Sequence, residues 1–295
     1  MSGRNVLSAA VAPADVTASG ITALFVPGDR PERFKKAAAA GPDMVIIDLE
    51  DAVAPAAKPA ALSAAVTVLT PDQGTPFRSL VRVNAADSCY YSDDIDQLLD
   101  LAREPGHGLL GVMLPKAEEP EVIEHLAKRL QSASAPSLAL VPLVESARGV
   151  VNALSIARIP GVTRLAFGAI DYALDINASG QERVLDYARA ALVNASRAAG
   201  IAGPLDSPSM NIKDLVKVAG STRLGRDFGF AGKLCIHPAQ VPVVRAEFTP
   251  NDADVAWAKS VLDAEGGAAQ VDGQMVDRPV TERAHRILRR AGHDR

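Results

Sequence analysis

Three apolar runs in this chain end in acid. MVIIDLED (Met44 to Asp51), LALVPLVES (Leu138 to Ser146) and LAFGAIDY (Leu165 to Tyr172) each have the length and composition of a strand buried on both faces. Their carboxyl ends carry Glu50, Glu145 and Asp171. Strands buried on both faces belong to parallel sheets, so the acid gathers at one rim, where β/α enzymes keep their chemistry. Such a cluster calls for a hard divalent cation.

Five further runs complete a pattern: ALFVPG (Ala23 to Gly28), SLVRVN (Ser79 to Asn84), GVMLPK (Gly111 to Lys116), IAGPLD (Ile201 to Asp206) and AGKLCIHP (Ala231 to Pro238). Between them lie helix-like, Ala-rich segments such as PERFKKAAAA and QERVLDYARAALVNASRAAG, the latter ending at Gly after a basic residue, a C-terminal signal. Eight strands alternating with helices predict an α/β fold of the closed (β/α)8 barrel type. An open nucleotide-binding sheet would need a Gly-rich phosphate loop after a strand, and neither GxGxxG nor GxxxxGK[ST] occurs. Barrels commonly reach 295 residues as one unit, and with 4% aromatic residues the core must come from Ala, Val, Leu and Ile. The pattern assigns residues 1–20 to a flexible extension and 21–250 to the barrel. Residues 251–295 become a C-terminal helix with a lid or exchanged arm.

A formal charge of −4 gives no electrostatic reason to expect nucleic acid or an anionic membrane as partner. Cys89 and Cys235 are too few for a disulfide framework or a cysteine zinc site, and a reduced, cytoplasmic setting is expected. The first twenty residues lack a signal-peptide core, and no window approaches the roughly 18 uninterrupted apolar residues of a membrane span.

The rim residues carry the chemistry. Mg²⁺ takes oxygen ligands in near-octahedral geometry, uses one or two carboxylates and leaves the other positions to water and substrate; Glu145 and Asp171 suit that sparse set. The five histidines show no paired ligand spacing, which argues against zinc. Glu50 and Asp51 would orient metal-bound water. Arg82 offers a forked donor for a carboxylate or enolate oxygen, or could simply pair with Glu50. Asp51 and Asp206 have a plainer reading as helix N-caps, and His237, before Pro, as a hydrogen-bonded structural residue. No GxSxG is present, and Ser146 and Cys235 have no evident base partner. Metal and arginine together favour carbon–carbon cleavage or formation through an enolate.

Taken in order, LFVPGDRPERFKKA, VIIDLEDAV, VRVN, GVMLPKAE, LVPLVESARGV, RLAFGAIDYALD, GFAGKLCIHPAQV and DGQMVDRPV resemble the citrate lyase β-subunit family, from about Ile21 to Ala284. That family includes malyl-CoA and citramalyl-CoA lyases and related thioesterases. The resemblance implies a magnesium-dependent barrel acting on β-hydroxyacyl-CoA esters, with Glu145 and Asp171 as metal ligands and Arg82 contacting substrate. It implies that Glu50 and Asp51 hold metal waters, that Arg30 and Lys116 lie near the CoA or acyl end, and that Asp277 is an acid/base brought by the lid. A homotrimer or homohexamer acting on a small acyl-CoA or 2-oxo acid is implied too. On its residues alone Asp277 reads equally as a turn residue. Two segments depart from the family pattern. APAAKPAAL has Lys58 but Leu62 where a basic residue is expected, and LDINASGQER differs in its Gly-containing loop. A CoA thioesterase, a CoA-free 2-keto acid aldolase and a non-catalytic subunit remain as alternatives.

Overall fold

The computed structural model describes residues 12–71, 77–133, 138–179, 181–264, 270–271 and 274–292. Its order begins α1 (Pro13–Ser19), β1 (Thr22–Pro27), α2 (Phe34–Ala39), β2 (Met44–Asp48), α3 (Lys58–Leu69), β3 (Ser79–Arg82), α4 (Tyr91–Leu101) and β4 (Leu109–Leu114). Then follow α5 (Pro120–Ser132), β5 (Ala139–Val144), α6 (Ala147–Ala157), β6 (Arg164–Phe167), α7 (Ala169–Asp175), α8 (Glu182–Ala199), β7 (Ala202–Asp206), α9 (Leu215–Phe228) and β8 (Gly232–Cys235). The chain ends in α10 (Gln240–Phe248), α11 (Asp252–Asp263), a two-strand ladder of β9 (Gln270–Val271) and β10 (Gln274–Met275), and α12 (Arg278–Arg290).

Strands β1 to β8 close into the expected parallel barrel, β8 returning to β1 with Ala23 opposite Leu234. All eight expected strands are present and in order. Side chains alternate across each strand, so Met44 and Ile46 of β2 and Leu80 of β3 point into a core shared with Val141, Leu143, Ala166, Leu205 and Leu234. The same alternation sends Asp48 and Arg82 to the inner face, one step above Ile46 and Leu80. Packing of small and branched side chains in layers suits a chain with so few aromatics.

Residues 13–19, expected within a flexible extension, instead form α1, which packs against β4, β5 and β7. Val16 meets the barrel core from this end. The helix is tied down by Arg164, fully buried at the start of β6. Its Nη1 donates to the Thr17 and Gly20 carbonyls at 2.9 and 2.7 Å, and its Nε and Nη2 donate to Gly203 at 3.0 and 2.6 Å. Residues 1–11 lie outside the described residues.

The chain forms two compact units, Met1–Val244 and Arg245–Arg295, so the division falls a few residues before the expected boundary at 250. The second unit pairs α11 with α12 around Ala258, Val261 and Ala284, with Arg283 stacked 4.8 Å from the Trp257 ring centre. No helix among the described residues is long and apolar enough to cross a membrane.

Candidate functional site

None of the three acids read as strand ends lies on its strand: Glu145 directly follows β5, which stops at Val144, and the other two stand further out. β2 stops at Asp48 and β6 at Phe167. Past Asp48 the chain bends because the Asp48 carboxylate accepts the amides of Glu50 (2.9 Å) and Ala52 (3.2 Å), an Asx-type turn. Lys58, at the start of α3, clasps the same bend: its Nζ donates to the Leu49 and Glu50 carbonyls (2.8 and 2.9 Å) and to Asn84 Oδ1 (2.5 Å). The Asn84 amide groups in turn donate to buried Asp94, at 2.8 and 2.7 Å. Leu62, at the position where a basic residue was expected, is buried in α3.

Arg82 is held by acid on three sides. Nε and Nη2 donate to Asp48 Oδ1 and Oδ2 at 2.8 and 2.6 Å, Nη1 lies 3.0 Å from Glu50 Oε2, and Asp51 stands at 3.8 Å. Phe25 covers its flat face at 4.9 Å. The expected pairing with Glu50 therefore exists, but the stronger, bidentate partner is Asp48, which was not among the residues singled out from the sequence. Its signal was the alternation Met44, Ile46, Asp48.

Glu145 follows β5 and is buried; Oε1 accepts the Lys116 amide at 2.8 Å. That amide is aimed by an unusual backbone, for Lys116 has φ +49°. The Lys116 side chain reaches Glu50 Oε1 at 3.7 Å. Ser146 is the N-cap of α6, accepting Gly149 N at 3.1 Å, so its hydroxyl has a structural occupation. Beside Glu145, Gly168 leaves room: a Cβ there would lie 2.6 Å from both Glu145 Cβ and Oε2. Asp171 sits exposed in the first turn of α7, whose first amide, Ala169 N, donates to Ser207 Oγ at 3.1 Å.

A cavity of about 370 Å³ opens between these groups, lined by Asp48, Asp51, Arg82, Glu145 and Asp171 over an apolar floor that includes Phe25 and Leu143. Burial pushes Glu145 up to about 8, with the charges of Glu50 and Asp171 adding to it and the Lys116 amide opposing. Burial likewise raises Glu50 to about 7, against the pull of Arg82. Both Glu50 oxygens are buried and accept no well-formed hydrogen bond, their contacts being the ion pairs with Arg82 and Lys116. Glu145 and Asp171 both line this cavity, and the charge of Asp171 adds to the cost of ionising Glu145; two such carboxylates are donors that a hard divalent cation fits. Among the described residues no group of three or more His, Cys, Asp or Glu forms a closed metal cage.

Other residues singled out from the sequence fall elsewhere. Arg30 lies at the same end of the barrel just beyond β1, exposed and 3.9 Å from Asp29, and does not line the cavity. Asp206 is no helix cap: it is fully buried inside β7 and binds Lys233 Nζ at 2.7 Å. His237 accepts the Ala239 amide at 3.2 Å, the structural role expected of it. In the second unit, Asp277 is the N-cap of α12, its Oδ1 accepting Val280 N at 3.1 Å. Cys235 is buried, its thiol pushed up to about 12 by that burial.

Comparison with known proteins finds relatives along nearly the whole chain. The family model for HpcH/HpaI aldolase/citrate lyase covers residues 22–238, the whole barrel. A citrate lyase subunit beta-like protein of Mycobacterium tuberculosis is 39% identical over 94% of this chain and 98% of its own. The L-malyl-CoA/beta-methylmalyl-CoA lyase of Cereibacter sphaeroides is 32% identical over 91% of this chain and 93% of its own. Among solved structures, protein CitE from M. tuberculosis in complex with magnesium, acetoacetate and coenzyme A superposes with a TM-score of 0.79 at 39% identity, covering 93% of this chain and 99% of that one. With the acidic rim, the closed barrel and end-to-end similarity in agreement, this chain belongs to the HpcH/HpaI aldolase/citrate lyase family.

Proposed function

We propose that this protein is a Mg²⁺-dependent carbon–carbon lyase that cleaves, or in reverse forms, a β-hydroxyacyl-CoA ester of the malyl-, citramalyl- or citryl-CoA kind. The observation that carries the reading is that Glu145 and Asp171 open onto one cavity with Arg82. Support comes from the relatives named as malyl-CoA lyase and from the magnesium, acetoacetate and coenzyme A of the M. tuberculosis neighbour.

Glu145 and Asp171 would hold the cation. When bound, Mg²⁺ supplies Lewis-acid polarisation of the oxo or hydroxyl oxygen and neutralises developing charge. Glu145 is oriented for this by the Lys116 amide, and Glu50, fixed between Arg82 and Lys116, is poised to order water. Arg82 is held rigidly by Asp48, so its guanidinium can face developing negative charge without reorganising. In the cleavage direction Asp277 takes the substrate hydroxyl proton, the carbon–carbon bond breaks to leave a 2-oxo acid, and its electron pair passes to the thioester enolate. Protonation of that enolate gives the shortened acyl-CoA. Arg30 and Lys116 are assigned to the CoA or acyl end, in a cytoplasmic homotrimer or homohexamer.

Purified protein with Mg²⁺ and malyl-, citramalyl-, citryl- or hydroxymethylglutaryl-CoA tests this, with free thiol and the oxo acid product (2-oxo from the first three, 3-oxo from the last) followed together. Release of an oxo acid with no thiol establishes the lyase and names its acyl group. Thiol release without oxo acid replaces it with a thioesterase. Silence on every ester overturns the CoA-ester assignment.

A further inference from the structure

The two carboxylates assigned to the cation stand on different elements, Glu145 just past β5 and Asp171 in the first turn of α7. α7 is seven residues long, well under the roughly 12–15 at which a helix holds together by itself, so its place is set by what ties it down. At its start the Gly168 amide donates to the Val144 carbonyl at 2.9 Å, and the Ala169 amide to Ser207 Oγ at 3.1 Å. At its far end Asn177 turns left-handed, with φ +55°, and the Ala178 amide closes back on the Ala173 carbonyl at 2.8 Å. A further tie comes from Asp175, whose Oδ2 accepts the Ala147 amide at 2.7 Å.

Asp175 is poorly placed for α7 itself. It stands in the last turn, where the helix dipole disfavours an acid. It also follows Asp171 by four residues, so two like charges share one helix face. The same carboxylate is well placed for α6. Ala147 is the first residue of α6, where amides lack helical partners and the dipole favours an acid. Ser146, the N-cap, serves the Gly149 amide while Asp175 serves the Ala147 amide, so the two acceptors divide the helix start between them.

Ala147 lies two residues after Glu145, and Asp175 about one helical turn after Asp171. The hydrogen bond therefore closes a small ring. It runs from Glu145 along the main chain to Ala147, across to Asp175, and back along one turn of α7 to Asp171. The one side chain that closes this ring is that of Asp175. We propose that Asp175 is a positioning residue for the metal site: by accepting the Ala147 amide it sets the separation of the Glu145 and Asp171 carboxylates, and with it the affinity for the cation. The inference rests on the assignment of those two acids to Mg²⁺ and adds a residue that does not line the catalytic cavity.

The test compares Asp175→Ala with Asp175→Asn in the full-length protein. Alanine removes the acceptor, whereas asparagine keeps an oxygen for the Ala147 amide and loses the charge. Asp175 is exposed, and both variants are expected to keep the native circular dichroism spectrum. Calorimetric titration with Mg²⁺ should show affinity at least about tenfold weaker in Asp175→Ala and within about threefold of the parent in Asp175→Asn. In the metal-free protein, hydrogen exchange at the Ala147 amide should be at least about tenfold faster in Asp175→Ala and close to the parent in Asp175→Asn. Parent-like Mg²⁺ affinity in Asp175→Ala overturns the proposal. So does an Asp175→Asn variant as weak as alanine, which would make the effect one of charge. If the parent binds no Mg²⁺ while the Ala147 amide responds as expected, the assignment of Glu145 and Asp171 to the cation falls, and the positioning role with it.

Discussion

Asp48 and Arg82 form a bidentate ion pair across the top of β2 and β3, Nε to Oδ1 at 2.8 Å and Nη2 to Oδ2 at 2.6 Å. The pair is buried, and the same carboxylate shapes the turn that carries Glu50 and Asp51. Removing one member of a buried pair leaves the other charge uncompensated, at a cost of about 3–5 kcal/mol. Asp48→Ala is therefore expected to lower unfolding stability by that amount in urea denaturation and to leave Arg82 to Glu50 and Asp51. A loss below about 1 kcal/mol, the value of an exposed pair, would show that the pairing is loose in solution.

Gly168 makes room for the Glu145 carboxylate. Its φ of −103° is open to any residue, so a substitution there acts through contact and not backbone strain. A methyl group at that position would press on Glu145 Cβ and Oε2 from 2.6 Å. Gly168→Ala is expected to fold and to bind Mg²⁺ about 10–100-fold more weakly, the range seen when groups that orient metal ligands are disturbed. Calorimetric titration with Mg²⁺ measures it directly, and unchanged affinity would remove Glu145 from the metal site.

The raised acids also give the metal-free protein a pH dependence. Glu145, near 8, and Glu50, near 7, hold protons in the folded state that an unfolded chain releases near 4.5. The native state thus binds more protons between about 4.5 and 8, and stability falls as pH rises through that window. Arg82 and the Lys116 amide moderate the shift, and Asp171 adds to it. A cation at these carboxylates competes with the protons. Mg²⁺ affinity should then be at least about tenfold stronger at pH 8.5 than at pH 6, and saturating Mg²⁺ should reduce the fall in melting temperature. An affinity flat across that range would contradict the assignment.

How much of this was legible in the sequence follows from which interactions are local. Most strands announced themselves because both their faces are buried, so a run such as MVII, residues 44–47, has no polar interruption. Strand ends were less visible: Glu50 and Asp171 look continuous with their strands in sequence, but an Asx turn at Asp48 and the early start of α7 stop the ladders short. Asp48 was readable only by counting alternation, since it is the one acid inside an otherwise apolar run. Partners remote in sequence left no such trace. Arg164 reaches the carbonyls of Thr17 and Gly20, about 145 residues away, and nothing near either site hints at α1 as the barrel floor. Asp206 looked like a cap because Ser and Pro follow it, whereas its partners Lys233 and Arg189 come from β8 and α8.

Asp277 separates two roles that a single substitution can tell apart. As N-cap of α12 it accepts Val280 N, a duty that asparagine performs as well as aspartate. As the proposed acid/base it must exchange a proton, which asparagine cannot do. Asp277→Asn should therefore leave α12 and the thermal unfolding midpoint close to the parent while lowering kcat by about 10²–10⁴-fold, the usual contribution of a general acid/base, with Mg²⁺ affinity unchanged. Asp277→Ala should lose the same activity and, in addition, about 1 kcal/mol of stability from the missing cap. If Asp277→Asn turns over as the parent does, the residue is a helix cap alone, and the proton must be handled by another group at the rim, with Glu50 the first to test because its raised value lies near neutral pH.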